Sequence, residues 1–415
     1  MSLVINWKTI ISNTNNFCRK SNVITMQIKK FSRSKIKLSS DELKTDTQSK
    51  GIRAAILKKF SEPLVIENIK PLQISDPHEV LIDVHYCSLN GPDVLLTKNA
   101  YSVEPTLPKI LGYEIAGKLL QVGDEAKAKG FKVGDKVIAL NKNKFGGLAE
   151  QCVVEMNDVW KMSSSVKMLD SVCLLEDYLT ALIGLEKKAN LDEDEMVLIN
   201  VGLGGIGLAA VDIAKNVFRA QVIGVSKSEN RTALVRDKGA FASIKYNDKQ
   251  LMNKIKEFAD ERGIKDVFDG EEGDKFKKML ECFTSLYKEE NQNNLLRDNN
   301  FAVLVEHLSR EGRLIVAGFA MTETDYPADK SQKCPFSITG IDLSQYKSQN
   351  LATYREAGNE ILQYQEEGLI KPSYSLVAGL YKINEAVKFI ADFKSTEKVV
   401  IDLKNPEAEM KFKEK

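Results

Sequence analysis

Met196-Val197-Leu198-Ile199-Asn200-Val201 reads as a continuous apolar strand, and it runs straight into Gly202-Leu203-Gly204-Gly205-Ile206-Gly207. An uninterrupted apolar strand belongs in a parallel sheet covered on both faces. The G-x-G-x-x-G spacing gives each glycine a task. Gly202 permits a tight turn out of the strand, Gly204 lets backbone approach a pyrophosphate, and Gly207 lets the next helix pack close to the sheet. Backbone N–H groups at the start of that helix, with Leu203, Gly205 and Ile206 in the turn, then meet the phosphate charge. A helix to about Arg219 and a second strand, Gln221-Val222-Ile223-Gly224-Val225, follow at the correct distance. The turn is therefore read as a dinucleotide site.

The end of the second strand selects the dinucleotide. An NAD site places a carboxylate there to hold the ribose 2′-hydroxyl. This chain has Ser226 at that point, followed by Lys227, Ser228, Glu229, Asn230 and Arg231. Lys227 and Arg231 are close enough to meet a 2′-phosphate, and the two serines can hydrogen-bond it. NADPH is the expected cofactor, with Glu229 as an alternative ribose partner.

The rest of the chain frames this unit. From Gly51, short strands with Gly, Pro, Asn and Asp at their turns indicate a compact β-rich domain to about residue 172. Asn90-Gly91-Pro92-Asp93 is read as a turn within it. From 173 to about 345, strands alternate with helices, beginning with helical apolar spacing over Leu174 to Lys188. That alternation predicts a doubly wound parallel sheet, so the fold class is α/β. Lys265 to Asp269 and Arg313 to Gly318 read as later strands, with a polar, Asn-rich surface insertion at 285–300 between them. Residues 346–415 hold a helix over Tyr381 to Phe393, a strand over Lys398 to Leu403 and a charged tail.

Several classes are disfavoured by composition. The formal net charge of +1 gives no bulk attraction to nucleic acid, and no basic, aromatic-interleaved stripe stands in for it. No apolar run is long enough to predict a membrane span. The six cysteines are scattered without a C-x-x-C pair, which indicates neither a disulfide framework nor a zinc ribbon. The first 50 residues differ from the rest. No acidic residue precedes Asp41, while Lys8, Arg19, Lys20, Lys29, Lys30, Arg33, Lys35 and Lys37 lie among Ser, Thr and Asn. A basic, hydroxyl-rich, acid-poor leader predicts mitochondrial import, the alternative being a disordered tail on a cytoplasmic protein.

The stretches Asn90-Gly91-Pro92-Asp93, Leu111-Gly112-Tyr113-Glu114-Ile115-Ala116-Gly117, Gly134-Asp135-Lys136-Val137, Phe145 to Glu150, the glycine turn, Gly312 to Phe319 and Gly368 to Pro372 occur in one order. In that order the chain resembles the zinc-free quinone oxidoreductases of the medium-chain dehydrogenase/reductase superfamily. The resemblance implies a GroES-like β-rich domain beside a Rossmann domain, with the C-terminus returning to the first domain, and a homodimer. Zinc alcohol dehydrogenases place a ligand Cys and a ligand His where this chain has Asn90 and Tyr113. Catalytic zinc needs three protein ligands, so no metal is expected.

By resemblance, Asn90 would lie beside the nicotinamide and Thr180 near the cofactor. Tyr101 falls where related enoyl-thioester reductases carry a catalytic tyrosine, and its hydroxyl could polarise a carbonyl or donate a proton. Tyr246 matches a position that stacks near the adenosine phosphate. Gly318 and Phe319 end a strand on the side where open α/β sheets bind ligands. Two departures stand out, Glu271 and Glu272 where a glycine pair is usual, and Glu397-Lys398 for a common Gly-Lys. The expected activity is NADPH-dependent hydride transfer to a quinone or a similar α,β-unsaturated carbonyl. The alternatives are a mitochondrial 2-enoyl thioester reductase and an NADPH-binding protein with little turnover, serving as a sensor or structural protein.

Overall fold

The computed structural model describes residues 51–100, 106–201, 205–259, 264, 266–269, 313–317 and 337–413. The expected leader, Tyr101, Gly202 to Gly204, the 285–300 insertion, the Glu271-Glu272 departure, Gly318 and Phe319 lie outside them.

Eight strands precede the first long helix: β1 (Ile52–Leu57), β2 (Val65–Ile69), β3 (Glu79–Leu89), β4 (Lys109–Ile110), β5 (Glu114–Val122), β6 (Lys136–Leu140), β7 (Gln151–Glu155) and β8 (Val159–Lys161). β3 pairs antiparallel with both β5 and β7. Its apolar side chains Val80, Ile82, Val84 and Leu89 pack with Ile115 and Leu119 in one core. Asn90-Gly91-Pro92-Asp93 starts a helix, Gly91–Thr97, instead of a free turn. Asn before the first helical residue, Pro in the first turn and an acidic third residue are helix-start chemistry as much as turn chemistry. The sequence pattern alone does not separate the two.

The second sheet runs in the order β11 (Ala242–Lys245), β10 (Gln221–Ser226), β9 (Met196–Val201), β12 (Asp266–Asp269), β13 (Arg313–Ala317), β14 (Ser337–Ile341). That is the 3-2-1-4-5-6 order of a dinucleotide-binding sheet. Strands β11, β10, β9 and β12 are mutually parallel, as expected. β13 is antiparallel to β12, and β14 to β13. The sheet is therefore mixed at one end, where antiparallel strands extend an otherwise parallel sheet, a common arrangement in α/β folds.

Every residue of β9 is buried. The helix after the glycine turn, Ile206–Asn216, lies directly against it. A Cβ on Gly207 would sit 2.9 Å from the Asn200 carbonyl oxygen and 2.9 Å from the Val201 Cα. Backbone blocks it on both sides, so glycine here sets the helix-to-strand distance. The helix Leu175–Leu182 packs on the other side of Ile206–Asn216 and is buried at all eight positions, Glu176 and Asp177 included. It continues as a wider π-helical turn, Ile183–Ala189.

After helices Leu343–Gln349 and Leu351–Glu366, neither of which the sequence pattern revealed, the chain returns to the first sheet. β15 (Tyr374–Gly379) pairs parallel with β16 (Lys398–Asp402), and β17 (Lys411–Phe412) covers β15. β16 pairs antiparallel with β3, Val399 opposite Leu89. This pairing brings Lys398 beside the residues that follow β3. Among the described residues no helix is long and apolar enough to cross a membrane.

Filling the Gly207 contact forces the helix off the strand. Gly207→Val is expected to lower unfolding stability by about 1–3 kcal/mol, the usual cost of overpacking. Urea denaturation followed by circular dichroism checks this, and an unchanged midpoint contradicts the packing described.

Candidate active site

The first part of the site is a buried ionic cluster where β3, β5, β16 and the helix Leu175–Leu182 meet. Lys398 projects from the start of β16. Its ammonium donates to Asn90 Oδ1 and to Glu114 Oε2 at 3.0 Å, and it lies 3.2 Å from Asp177 Oδ2. The three charged side chains are 6%, 1% and 7% exposed, so water does not screen them. Glu114 also accepts from Asn90 Nδ2 at 3.0 Å and from the Glu176 backbone N–H at 2.9 Å. The Asn90 amide is thus held from both ends. Asp93, buried below it, accepts from the backbone N–H groups of Asn90 at 3.0 Å and Gly112 at 2.8 Å.

The charges follow from this geometry. Burial opposes the charge on Lys398, but Asp177 and Glu114, then Glu176, outweigh it and hold the ammonium above its ordinary range. Burial pushes the Asp177 carboxyl up to about 6 against the pull of Lys398, and Glu114 and Glu176 push the same way. Burial also raises Asp93 to about 7, against its two N–H donors. Glu176 has its own partner, Lys142, at 2.9 Å.

The second part lies at the ends of β9, β10 and β11. Gly205 and Ile206 open the helix after β9. Ser226 closes β10, buried, with its hydroxyl 2.8 Å from Thr232 Oγ1 and donating to the Ser228 carbonyl at 3.4 Å. Ser228 caps the next helix, Glu229–Asp237, by accepting from the Arg231 N–H. Tyr246, half-buried just past β11, donates its backbone N–H to the Ser226 carbonyl at 2.7 Å. Lys227 is exposed, its ammonium 5.4 Å from the Phe393 ring centroid. Glu229, the alternative ribose partner, pairs with Lys245 at 2.9 Å.

Ser226, Lys227 and Tyr246 therefore gather at one edge of the sheet. Arg231 is placed differently. It is buried, and its guanidinium donates to the Ser395 carbonyl at 3.0 Å. Its position in the first turn of the helix turns it toward the C-terminal return, which leaves Lys227 as the exposed cation of the two. Thr180 is buried in the middle of its helix, and its hydroxyl donates back to the Glu176 carbonyl at 2.7 Å. Tyr113 is fully buried and packs edge-on against Phe145, with ring centroids 5.3 Å apart. Cys87 is likewise buried, in β3. Among the described residues no three His, Cys, Asp or Glu side chains form a group suited to a metal ion.

Lys398, Glu114 and Asp177 were missed as site residues in the sequence. One signal was available. Glu176-Asp177 interrupts an otherwise apolar helical run, and two acidic residues inside such a helix require a buried cation somewhere in the fold.

The Alcohol dehydrogenase GroES-like domain family matches residues 76–164, and the Zinc-binding dehydrogenase family matches residues 205–285. The chain is 33% identical over 363 residues to the quinone oxidoreductase-like protein 2 homolog of Nematostella vectensis, covering 87% of this chain and 92% of that one. It is 30% identical over 358 residues to quinone oxidoreductase-like protein 2 of Mus musculus, covering 86% and 94%. A solved structure of Escherichia coli quinone oxidoreductase complexed with NADPH superposes with a TM-score of 0.63 at 18% identity, over 85% of this chain and all of that one (100%). At that identity the likeness shows the fold alone.

Removing Lys398 leaves Glu114 and Asp177 without their shared cation. Lys398→Met is expected to cost about 3–5 kcal/mol at neutral pH, as for other broken buried pairs. The sign of the pH dependence follows from Asp177. A carboxyl raised on folding binds its proton more tightly in the native state, so its contribution is present in acid and is lost as pH rises through about 6. The Lys398→Met deficit therefore shrinks on going from pH 7.5 to pH 5.5. Urea midpoints of both chains at the two pH values check this.

Proposed function

We propose that this chain, which belongs to the quinone oxidoreductase family of the medium-chain dehydrogenase/reductase superfamily, is a zinc-independent, NADPH-dependent reductase of quinones or similar α,β-unsaturated carbonyls. As a member of that family it is an oxidoreductase. The observation that carries the cofactor choice is the end of β10. A hydroxyl, Ser226, stands where an NAD site presents a carboxylate, and exposed Lys227 stands beside it. The Escherichia coli neighbour, solved with NADPH, supports the same choice.

The sheet fits a dinucleotide. Gly207 brings the helix start against β9 with no room for a Cβ, and the ends of β9, β10 and β11 lie side by side. Exposed Lys227 would hold the 2′-phosphate and Tyr246 would cover the adenosine side, whereas the Ser226 hydroxyl, buried and taken up by Thr232 and the Ser228 carbonyl, would only leave the strand end free of a carboxylate. The bound nicotinamide supplies the hydride. The chain's own part is to bind, orient and exclude water. Asn90 contributes an amide fixed by Lys398 and Glu114, so it cannot swing when an acceptor arrives. Asn90 and Tyr113 replace the zinc ligands, which supports a metal-free route in which the acceptor oxygen is protonated by water or a nearby hydroxyl.

The purified chain is expected to oxidise NADPH faster than NADH with a quinone as acceptor. Lys227→Ala should weaken NADPH binding by roughly tenfold or more, the worth of a charge-assisted contact, and leave NADH binding unchanged. A preference for NADH overturns the cofactor assignment. Faster turnover of an enoyl thioester than of a quinone moves the substrate to thioesters, and stoichiometric zinc on metal analysis overturns the metal-free route.

A further inference from the structure

Asp177 occupies an unusual place for a carboxylate. A Cβ built on Gly205 would lie 1.9 Å from Asp177 Oδ2, so this oxygen rests on the Gly205 backbone, in the glycine turn. The helix start at Gly205 is where a dinucleotide's pyrophosphate is received. Asp177 is buried and is tied to Lys398 at 3.2 Å. A small cleft reaches the same point, its lining including Asp177, Gly205, Leu208, Ala209, Glu397 and Lys398. A charged carboxylate in this position and a phosphate at Gly205 are like charges in a poorly screened region.

The groups around Asp177 leave little other relief. Lys398, from β16, is its cation, but Glu114 of β5 shares that cation at 3.0 Å. Glu176 on its own helix is engaged by Lys142. Lys238, which lines the same cleft, is held by Asp212 at 2.7 Å and accepts no further duty from Asp177. Glu397 bonds the Ser373 hydroxyl and adds a carboxylate to the wall. Cys173 and Tyr178 border the cleft too, and burial holds both above their ordinary ranges, so they stay neutral.

We propose that Asp177 is a proton-operated gate on the cofactor turn: its charged carboxylate opposes a phosphate at Gly205, and dinucleotide binding is completed by uptake of a proton at this side chain. This rests on the cofactor reading above. The carboxyl, pushed by burial up to about 6, is charged above that pH but needs only a modest further rise to take up a proton near neutrality. A phosphate beside it raises its proton affinity further. Affinity for the cofactor should therefore fall as pH rises, by up to about tenfold per pH unit, the limit for one linked proton.

The test is NADPH binding to the full chain, read by NADPH fluorescence from pH 5.5 to 8.5, in the wild type, Asp177→Asn and Asp177→Ser. The ligand's own 2′-phosphate titrates near pH 6 and is common to all three. The wild-type dissociation constant is expected to rise with pH more steeply than that of either variant. At pH 8 the variants are expected to bind about tenfold more tightly or better. Calorimetry at pH 7.5 in buffers of different ionisation enthalpy should show about one proton taken up by the wild type. At that pH the 2′-phosphate is already ionised, so this readout stands even where the variants do not fold. Parallel pH profiles, or no proton uptake at pH 7.5, overturn the gate and leave the cofactor reading intact. No saturable NADPH binding at any pH, in any of the three, overturns both.

Discussion

The ammonium of Lys398 joins parts of the chain that are far apart in sequence. It meets Asn90 from the end of β3, Glu114 from the start of β5 and Asp177 from the helix that backs the glycine turn. Taking an ammonium and two carboxylates out of water costs several kcal/mol per ion, and only close pairing with the remaining hydrogen bonds filled offsets it. The filling is present: Glu114 accepts from the Asn90 amide and the Glu176 N–H as well. Such a cluster adds little net stability compared with an apolar core. It is exacting about geometry, because loss of any one partner strands a buried charge.

That exactness links the two sheets. Lys398 reaches the cluster only because β16 adds to the first sheet beside β3, Val399 opposite Leu89. Asp177 reaches it only because its helix packs against Ile206–Asn216, whose own distance from β9 is fixed by Gly207. Asn90 and Gly205 are thus three contacts apart, through Lys398 and Asp177.

Much of the fold was legible in the sequence, for a local reason. β9 is buried at every position, and its apolar run is the direct trace of being covered on both faces. β10 and the helix before it were legible for the same reason. The helices Leu343–Gln349 and Leu351–Glu366 were not. In the longer one the buried residues Tyr354, Ala357, Gly358 and Ile361 do fall at i, i+3, i+4 and i+7, but two of the four are small, so the apolar stripe is faint in the sequence. Asn90 to Asp93 was ambiguous because Asn, Pro and Asp serve a turn and a helix start equally well.

The sequence by itself determined the sheet, the glycine turn and the chemistry at the end of β10, because each depends on residues within one strand–turn–helix unit. That Ser226 ends β10, that Asn90 follows β3 and that Tyr113 precedes β5 are facts of local order. Only the tertiary structure decided that Arg231 turns inward to Ser395 while Lys227 faces out, and that Asp177 lies on Gly205. The physical reason is the same in both cases. Where a long or charged side chain goes is set by which distant backbone or ion can satisfy it, and that partner is 164 residues away for Arg231 and 221 positions away, at Lys398, for Asp177 (398 − 177).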